Sequence, residues 1–168
     1  TSFKKPTFYF RTFYKRNKSL KQLYVIVGFK GVSAISPLKH HFSIMNDILG
    51  SGMSSRLFQK IREEKGLAYT ISSFSDFYRD TGMHIIYSIV DGEKIRDYFD
   101  AVKEEIVKLK EKGINKQELE RSKDHIMASL LLGLENNVTR MRFHVNQEMN
   151  YQKEKKIDDI IDNINKAS

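Results

Sequence analysis

The chain has 168 residues, of which 40% are hydrophobic and 30% are charged, and its formal net charge at pH 7 is +8. This composition is typical of a soluble globular domain with its own core. The absence of cysteine excludes disulfides, thiolate zinc ligands and cysteine nucleophiles, and it fits a reducing compartment. The longest apolar run, IMASLLLGL at 126–134, is too short to cross a bilayer, so we expect a soluble protein, and the absence of cysteine favours the cytoplasm.

The surplus of positive charge lies near the N-terminus. Residues 1–46 carry nine Lys or Arg and no Asp or Glu, whereas residues 47–168 carry twenty Lys or Arg and twenty-one Asp or Glu. The aromatic run TFYFRTFY, 7–14, predicts a strand, and we interpret residues 1–20 as a basic N-terminal strand region, with lysines guarding a sheet edge. The alternative is nucleic-acid binding through residues 4–21, by phosphate contacts and stacking. No recognised nucleic-acid motif accompanies the charge, so we do not expect that partner.

The next segments predict one strand and two helices. QLYVIVGFKG, 22–31, predicts a strand whose apolar residues on both faces indicate cover on both sides. The period then becomes helical, with Ser36 as a possible N-cap and Pro37 at the first helical position. GSGMSS ends this helix and is interpreted as a tight turn, although its free backbone N–H groups offer an alternative anion site. A second helix is predicted over 54–65, with Gly66 just beyond its end.

Two further strands and three helices complete the pattern. The runs on either side of RDTG, 79–82, predict an antiparallel hairpin. A helix follows over about 93–112, with these side chains expected in the core: Ile95, Phe99, Val102, Ile106 and Leu109. The next begins at a capping box of Asn115 and Glu118 and has a possible break at 136–137. Its apolar side is predicted to hold Leu119, Ile126, Leu130, Leu134, Val138 and Met141.

A last short helix is predicted to begin near Ile157. The resulting order, β-β-α-α-β-β-α-α-α, predicts an α+β fold with an antiparallel or mixed β-sheet and helices packed on one face.

The motifs that would carry chemistry on their own are absent. None of the five histidines, which are His40, His41, His84, His125 and His144, belongs to an H-x-x-E-H or H-E-x-x-H pattern. There is no P-loop and no G-x-S-x-G elbow. We therefore expect no metal site and no cofactor in this chain.

Two long stretches nevertheless resemble a known family. ILGSGMSSRLFQKIREEKGLAYTISSF, 48–74, and INKQELERSKDHIMASLLLGLENNVTRM, 114–141, resemble the inverzincin zinc metallopeptidase superfamily of pitrilysin, insulin-degrading enzyme and mitochondrial processing peptidase. The resemblance covers roughly residues 21 to 160 and keeps the order and spacing of the motifs. It implies a metallopeptidase built from two homologous halves that close around a cavity like a clamshell, one of which binds zinc.

Because the zinc motif is missing, the whole chain, 1–168, resembles the C-terminal, substrate-binding, non-zinc domain of such an enzyme, possibly truncated. The resemblance implies that the chain is inactive alone and that zinc lies in a partner half, on the same chain or on a separate subunit. A peptide substrate would bind between the halves. The alternative is a non-catalytic structural or assembly subunit, homologous to processing-peptidase subunits.

The resemblance also identifies two candidate catalytic residues. Arg62 and Tyr69 match an Arg and a Tyr that reach toward the substrate from the non-zinc half of family members, where they contact the substrate carbonyl and the transition state in trans. From the residues alone a plainer interpretation is open, in which Arg62 pairs with Glu63 or Glu64 and Tyr69 packs against its neighbours.

Overall fold

The computed structural model of the protein describes residues 21–152 and 155–167. In these residues the helices pack against one three-stranded antiparallel sheet. Its strands are β1 (Gln22–Lys30), β2 (Ala68–Phe77) and β3 (Gly82–Asp91), in the order β1-β3-β2. The helices are α1 (Lys39–Gly50), a π-helix (Phe58–Glu64), a 3₁₀ turn (Gly92–Lys94), α2 (Ile95–Lys112), α3 (Lys116–Glu135), α4 (Asn137–Tyr151) and α5 (Ile157–Lys166). The α+β prediction and the β2–β3 hairpin are confirmed, and the strand predicted at 7–14 lies outside the described residues.

The core lies between the inner face of the sheet and the helices. Strand residues such as Val25, Ile71 and Ile86 pack there against helix residues such as Leu57 and Val102. Tyr98 is fully buried in this layer, and its hydroxyl lies 2.6 Å from Ser88 Oγ, so its polar atom has a partner. The prediction that Phe99 lies in the core is wrong, because α2 turns Tyr98 inward and leaves Phe99 47% exposed.

The outer face of β1 corrects another prediction. Tyr24 and Ile26 were expected to be covered, but they are 71% and 67% exposed among the described residues. The described helices pack on the opposite face of this strand, which carries Val25. Apolar residues on both faces of a strand therefore did not indicate cover on both faces here.

The helix boundaries follow local capping chemistry. The capping box is confirmed, since Asn115 Oδ1 accepts from Glu118 N at 2.8 Å and Glu118 Oε2 accepts from Asn115 N at 3.1 Å. The predicted break is also confirmed, because the Asn136 side chain accepts from the backbone of Val138 and caps α4. The predicted start of α5 at Ile157 is correct.

Two helix predictions need correction. The first helix begins at Lys39 rather than at Pro37, because Ser36 Oγ accepts from Leu38 N at 3.2 Å and holds that segment in a turn. The predicted apolar side of the long C-terminal helix fails after the break. Val138 and Met141 are 53% and 58% exposed, because α4 is a separate helix with its own orientation. No helix among the described residues is long and apolar enough to cross a membrane.

Candidate functional site

The candidate site is built around a sharp corner between the π-helix and β2. The backbone N–H of Lys65 bonds to Lys60 O at 3.1 Å, an i to i−5 bond that defines the wide turn of a π-helix. Gly66 follows with φ +58° and donates to Arg62 O at 3.2 Å, so it closes the helix as predicted. The sequence correctly predicted a helix within residues 54–65, but residues Phe58–Glu64 form a π-helix rather than an α-helix. Segments of π-helix are rare and occur frequently at functional sites.

Arg62 occupies the last turn of the π-helix and is directed away from the core. Its side chain is 43% exposed, and its Cζ lies 4.7 Å from the centroid of the Phe58 ring. Its Nε is 3.7 Å from Glu63 Oε1, a long contact between two exposed groups that contributes little. Glu64 instead pairs with Lys60. The arginine therefore rests on an aromatic ring and keeps most of its hydrogen-bonding capacity.

Tyr69 lies on the other side of the corner, at an irregularity in β2. Ala68 pairs with Val90 and Thr70 pairs with Ile89, so Tyr69 is the extra residue of a β-bulge. Its side chain is 57% exposed, which does not fit the plainer interpretation that it packs in the core. Bulges redirect side chains and are common next to active sites.

The structure thus places both predicted residues on the two arms of one corner, and both are exposed. No hydrogen bond joins Arg62 to Tyr69 within residues 21–152 and 155–167. Sequence reasoning missed the contribution of Phe58, which it treated only as part of an apolar stripe. The sequence contained a signal for this contact, because an aromatic residue four positions before an arginine on a helix lies close enough to stack under its guanidinium group.

The histidines do not form a second site. His84 is buried, its Nδ1 lies 2.9 Å from Ser75 Oγ, and burial lowers its pKa. His125 Nδ1 lies 2.7 Å from Asp47 Oδ1 and ties α3 to α1. Burial, with the nearby positive charge of Lys39, lowers the pKa of His40 to about 4. No group of three or more His, Cys, Asp or Glu suited to a metal occurs in the described part of the chain.

An apolar cavity of about 460 Å³ lies in a different part of the molecule. It is lined by Phe29, Phe42, Met45, His84, Leu119 and Ala167, among other residues. None of the residues of the corner lines it, so it is separate from the candidate site.

The fold and the corner define a class: an α+β domain with an exposed Arg–Tyr pair and, in its described part, no metal-ligand cluster. Comparison with known proteins identifies the family to which this domain belongs. The model of the peptidase M16 inactive domain matches residues 2–126, and the chain belongs to this family, as the non-zinc domain of the zinc metallopeptidase superfamily that its motifs resemble.

The relatives are named zinc proteases. The chain is 35% identical over 165 residues to the zinc protease YmxG of Bacillus subtilis. This match covers 98% of this chain and 40% of the relative. It is 38% identical over 120 residues to a zinc protease of Rickettsia felis, covering 71% of this chain and 29% of the relative. The chain therefore spans less than half the length of these relatives.

Solved structures share the fold. A peptidase M16 inactive domain from Pseudomonas fluorescens superposes with a TM-score of 0.74 at 19% identity, over 88% of this chain and 34% of that one. A chain of complex III2 from Candida albicans superposes with a TM-score of 0.79 at 17% identity, over 90% and 38%. At these identities the likeness concerns the fold alone.

Proposed function

We propose that this chain is the substrate-binding half of a zinc-dependent metalloendopeptidase, that it completes the active site of a zinc-bearing half across a cavity, and that it is inactive alone. The observation that carries the proposal is the corner at Gly66, where a π-helix exposes Arg62 and a β-bulge exposes Tyr69 on either side of the glycine. Both the π-helix and the β-bulge are irregularities that occur frequently at functional sites.

In this proposal Tyr69 stabilises the transition state. Attack on a peptide carbonyl places negative charge on its oxygen, and a positioned phenol O–H donates a hydrogen bond to that oxygen. An exposed tyrosine is free to meet a substrate that arrives from outside its own domain, as the 57% exposure of Tyr69 allows.

Arg62 in this proposal holds the substrate. Its guanidinium presents several donors in a fixed plane, which suits the carbonyl oxygens of an extended peptide. The Phe58 ring supports the guanidinium from below and limits its rotamers, so less entropy is lost when the peptide binds.

Zinc belongs to the partner in this scheme. The described residues of this chain offer no donor set that fits the metal, and we derive no catalytic step through zinc here. The partner we propose is a zinc-bearing homologous half, on the same polypeptide or on a second subunit.

A second candidate function is a non-catalytic assembly subunit. It is favoured by the fold shared with a chain of the Candida albicans complex III2 structure. An assembly subunit needs neither Arg62 nor Tyr69 for its contacts, so the two functions differ in what happens when these side chains are changed.

The test is a reconstituted peptidase assay with a matched pair of variants. The partner is the part of the Bacillus subtilis zinc protease that lies outside its match to this chain, supplied with zinc, and the substrate is an unstructured quenched peptide. We expect Tyr69→Phe to lower kcat by about 100-fold with little change in KM, as for loss of one oxyanion donor. Tyr78→Phe removes the hydroxyl of another exposed tyrosine, at the hairpin turn, and should leave kcat unchanged. Equal kcat values for the two variants would contradict the role of Tyr69, and a mixture in which this chain adds no cleavage would favour the assembly subunit.

A further inference from the structure

Helix α4 carries four of its apolar side chains on the face directed away from its own domain. Val138, Met141, Val145 and Met149 follow one another at intervals of three and four residues, which places them on one side of an α-helix. Their side chains are 53%, 58%, 49% and 67% exposed. We call these four residues the α4 stripe.

The opposite face of α4 packs on the domain and carries Phe143, which is partly buried, together with Gln147 and Tyr151. Gln147 lies roughly half a turn from the stripe and is only 6% exposed. Tyr151 donates from its hydroxyl to Ala34 O at 2.7 Å and accepts from Lys39 Nζ at 3.0 Å. A helix of an isolated domain normally exposes a polar face to water, whereas α4 exposes the four apolar side chains of the stripe as well. Within residues 21–152 and 155–167, nothing covers the stripe.

The relatives indicate what covers it. This chain matches 40% of the Bacillus subtilis relative and 29% of the Rickettsia felis relative, so more than half of each relative lies outside the domain described here. Exposed apolar patches on a helix mark interaction surfaces, and methionine side chains adapt well to a partner. Arg142 borders the stripe, since it lies four residues after Val138 and three before Val145, and it has no acidic partner in the described part of the chain.

We propose that the α4 stripe is the surface on which the zinc-bearing part of the enzyme docks. The docking segment presents an apolar ridge to the two valines and two methionines, with a carboxylate opposite Arg142. This inference rests on the proposed function, which requires such a partner, and it adds the location of the contact. The stripe and the Gly66 corner involve different elements, so binding and turnover can be tested separately.

The experiment compares two valine-to-aspartate substitutions in the full chain. Val145→Asp places a charge in the stripe, and Val107→Asp makes the same change on α2 at a valine that is 38% exposed. The probe is the same part of the Bacillus subtilis relative, and titration calorimetry measures Kd while circular dichroism checks that each variant is folded. We expect Val145→Asp to weaken binding at least 10-fold and Val107→Asp to stay within twofold of the unchanged chain. Arg142→Glu should also weaken binding, through charge reversal.

The outcomes separate this inference from the proposed function. Equal Kd values for the two aspartate variants, or no binding by the unchanged chain, would overturn the docking surface. Self-association of the chain that Val145→Asp abolishes, with binding of the probe unaffected, would show instead that the stripe joins two copies. Tight binding that depends on Val145 in a mixture that cleaves no peptide would support the docking surface and contradict the catalytic role.

Discussion

Arg62 lies over the ring of Phe58, with 4.7 Å between its Cζ and the ring centroid, in the last turn of a π-helix. This contact makes Phe58 a positioning residue for the proposed site. We expect Phe58→Leu in the reconstituted enzyme to raise KM about two- to fivefold, because a cation–π contact at an exposed site contributes ~0.5–1 kcal/mol. The kcat value should change little. Phe58→Tyr keeps the ring and should restore KM, whereas equal KM values for both variants would contradict the positioning role.

The close approach of α1 to β2 gives a prediction on stability. A Cβ on Gly50 would lie 2.7 Å from the backbone N of Ser73, and backbone cannot move aside cheaply. We expect Gly50→Ala to lower the free energy of unfolding by about 1–3 kcal/mol, measured by urea denaturation. Gly28→Ala is the matched control, because no atom lies within 4 Å of its added Cβ. If both variants unfold at the same urea concentration, α1 and β2 are not in tight contact.

The ion pair between Arg56 and Glu118 predicts a dependence of stability on pH. Arg56 Nε and Nη2 donate to the two carboxylate oxygens of Glu118 at 2.8 and 2.7 Å, and Arg56 Nη2 also donates to Gly113 O. These bonds join the start of the π-helix segment to the N-terminus of α3. The hydrogen bond from Arg56 is the main cause that lowers the pKa of Glu118.

Since the pKa of Glu118 is lower in the folded state than in the unfolded state, the pair stabilises the fold above the unfolded pKa of about 4.3 and loses this contribution as the pH falls through the folded value. Arg56→Met should therefore cost about 1–2 kcal/mol near pH 7 and progressively less below about pH 4. Denaturation curves of both proteins across this range measure the difference. A difference that stays constant down to pH 2 would show that the charge of Glu118 is not involved.

Much of the fold could be predicted from residue patterns, because capping and turn chemistry are local. The capping box at Asn115, the αL glycine at Gly66 and the hairpin before Gly82 each depend on a few adjacent residues. The pitch of the π-helix could not be predicted, because seven helical residues are too few to distinguish the period of a π-helix from that of an α-helix. The choice of Tyr98 over Phe99 for the core depends on the distant Ser88, which bonds its hydroxyl.

The candidate site also has features that could be predicted from the sequence and features that could not. The spacing of Arg62 and Tyr69 across a helix end was visible in the sequence, and their family resemblance suggested a shared role. Their exposure was not visible, because it results from the bulge at Tyr69 and from the wide turn that carries Arg62. The apolar side of α4 was assigned to the core, since a periodic pattern indicates a buried face but not which molecule buries it.

Under the proposed function, this chain completes an active site that it does not contain alone. The most direct measurement is cleavage of an unstructured quenched peptide, with zinc, by three samples: this chain, the part of the Bacillus subtilis relative outside its match to this chain, which we propose to bear zinc, and their mixture. We expect no cleavage by this chain and a large gain in the mixture, which Tyr69→Phe removes. Cleavage by this chain alone, or a mixture no more active than the zinc-bearing part, would show that this chain is not the complementing half.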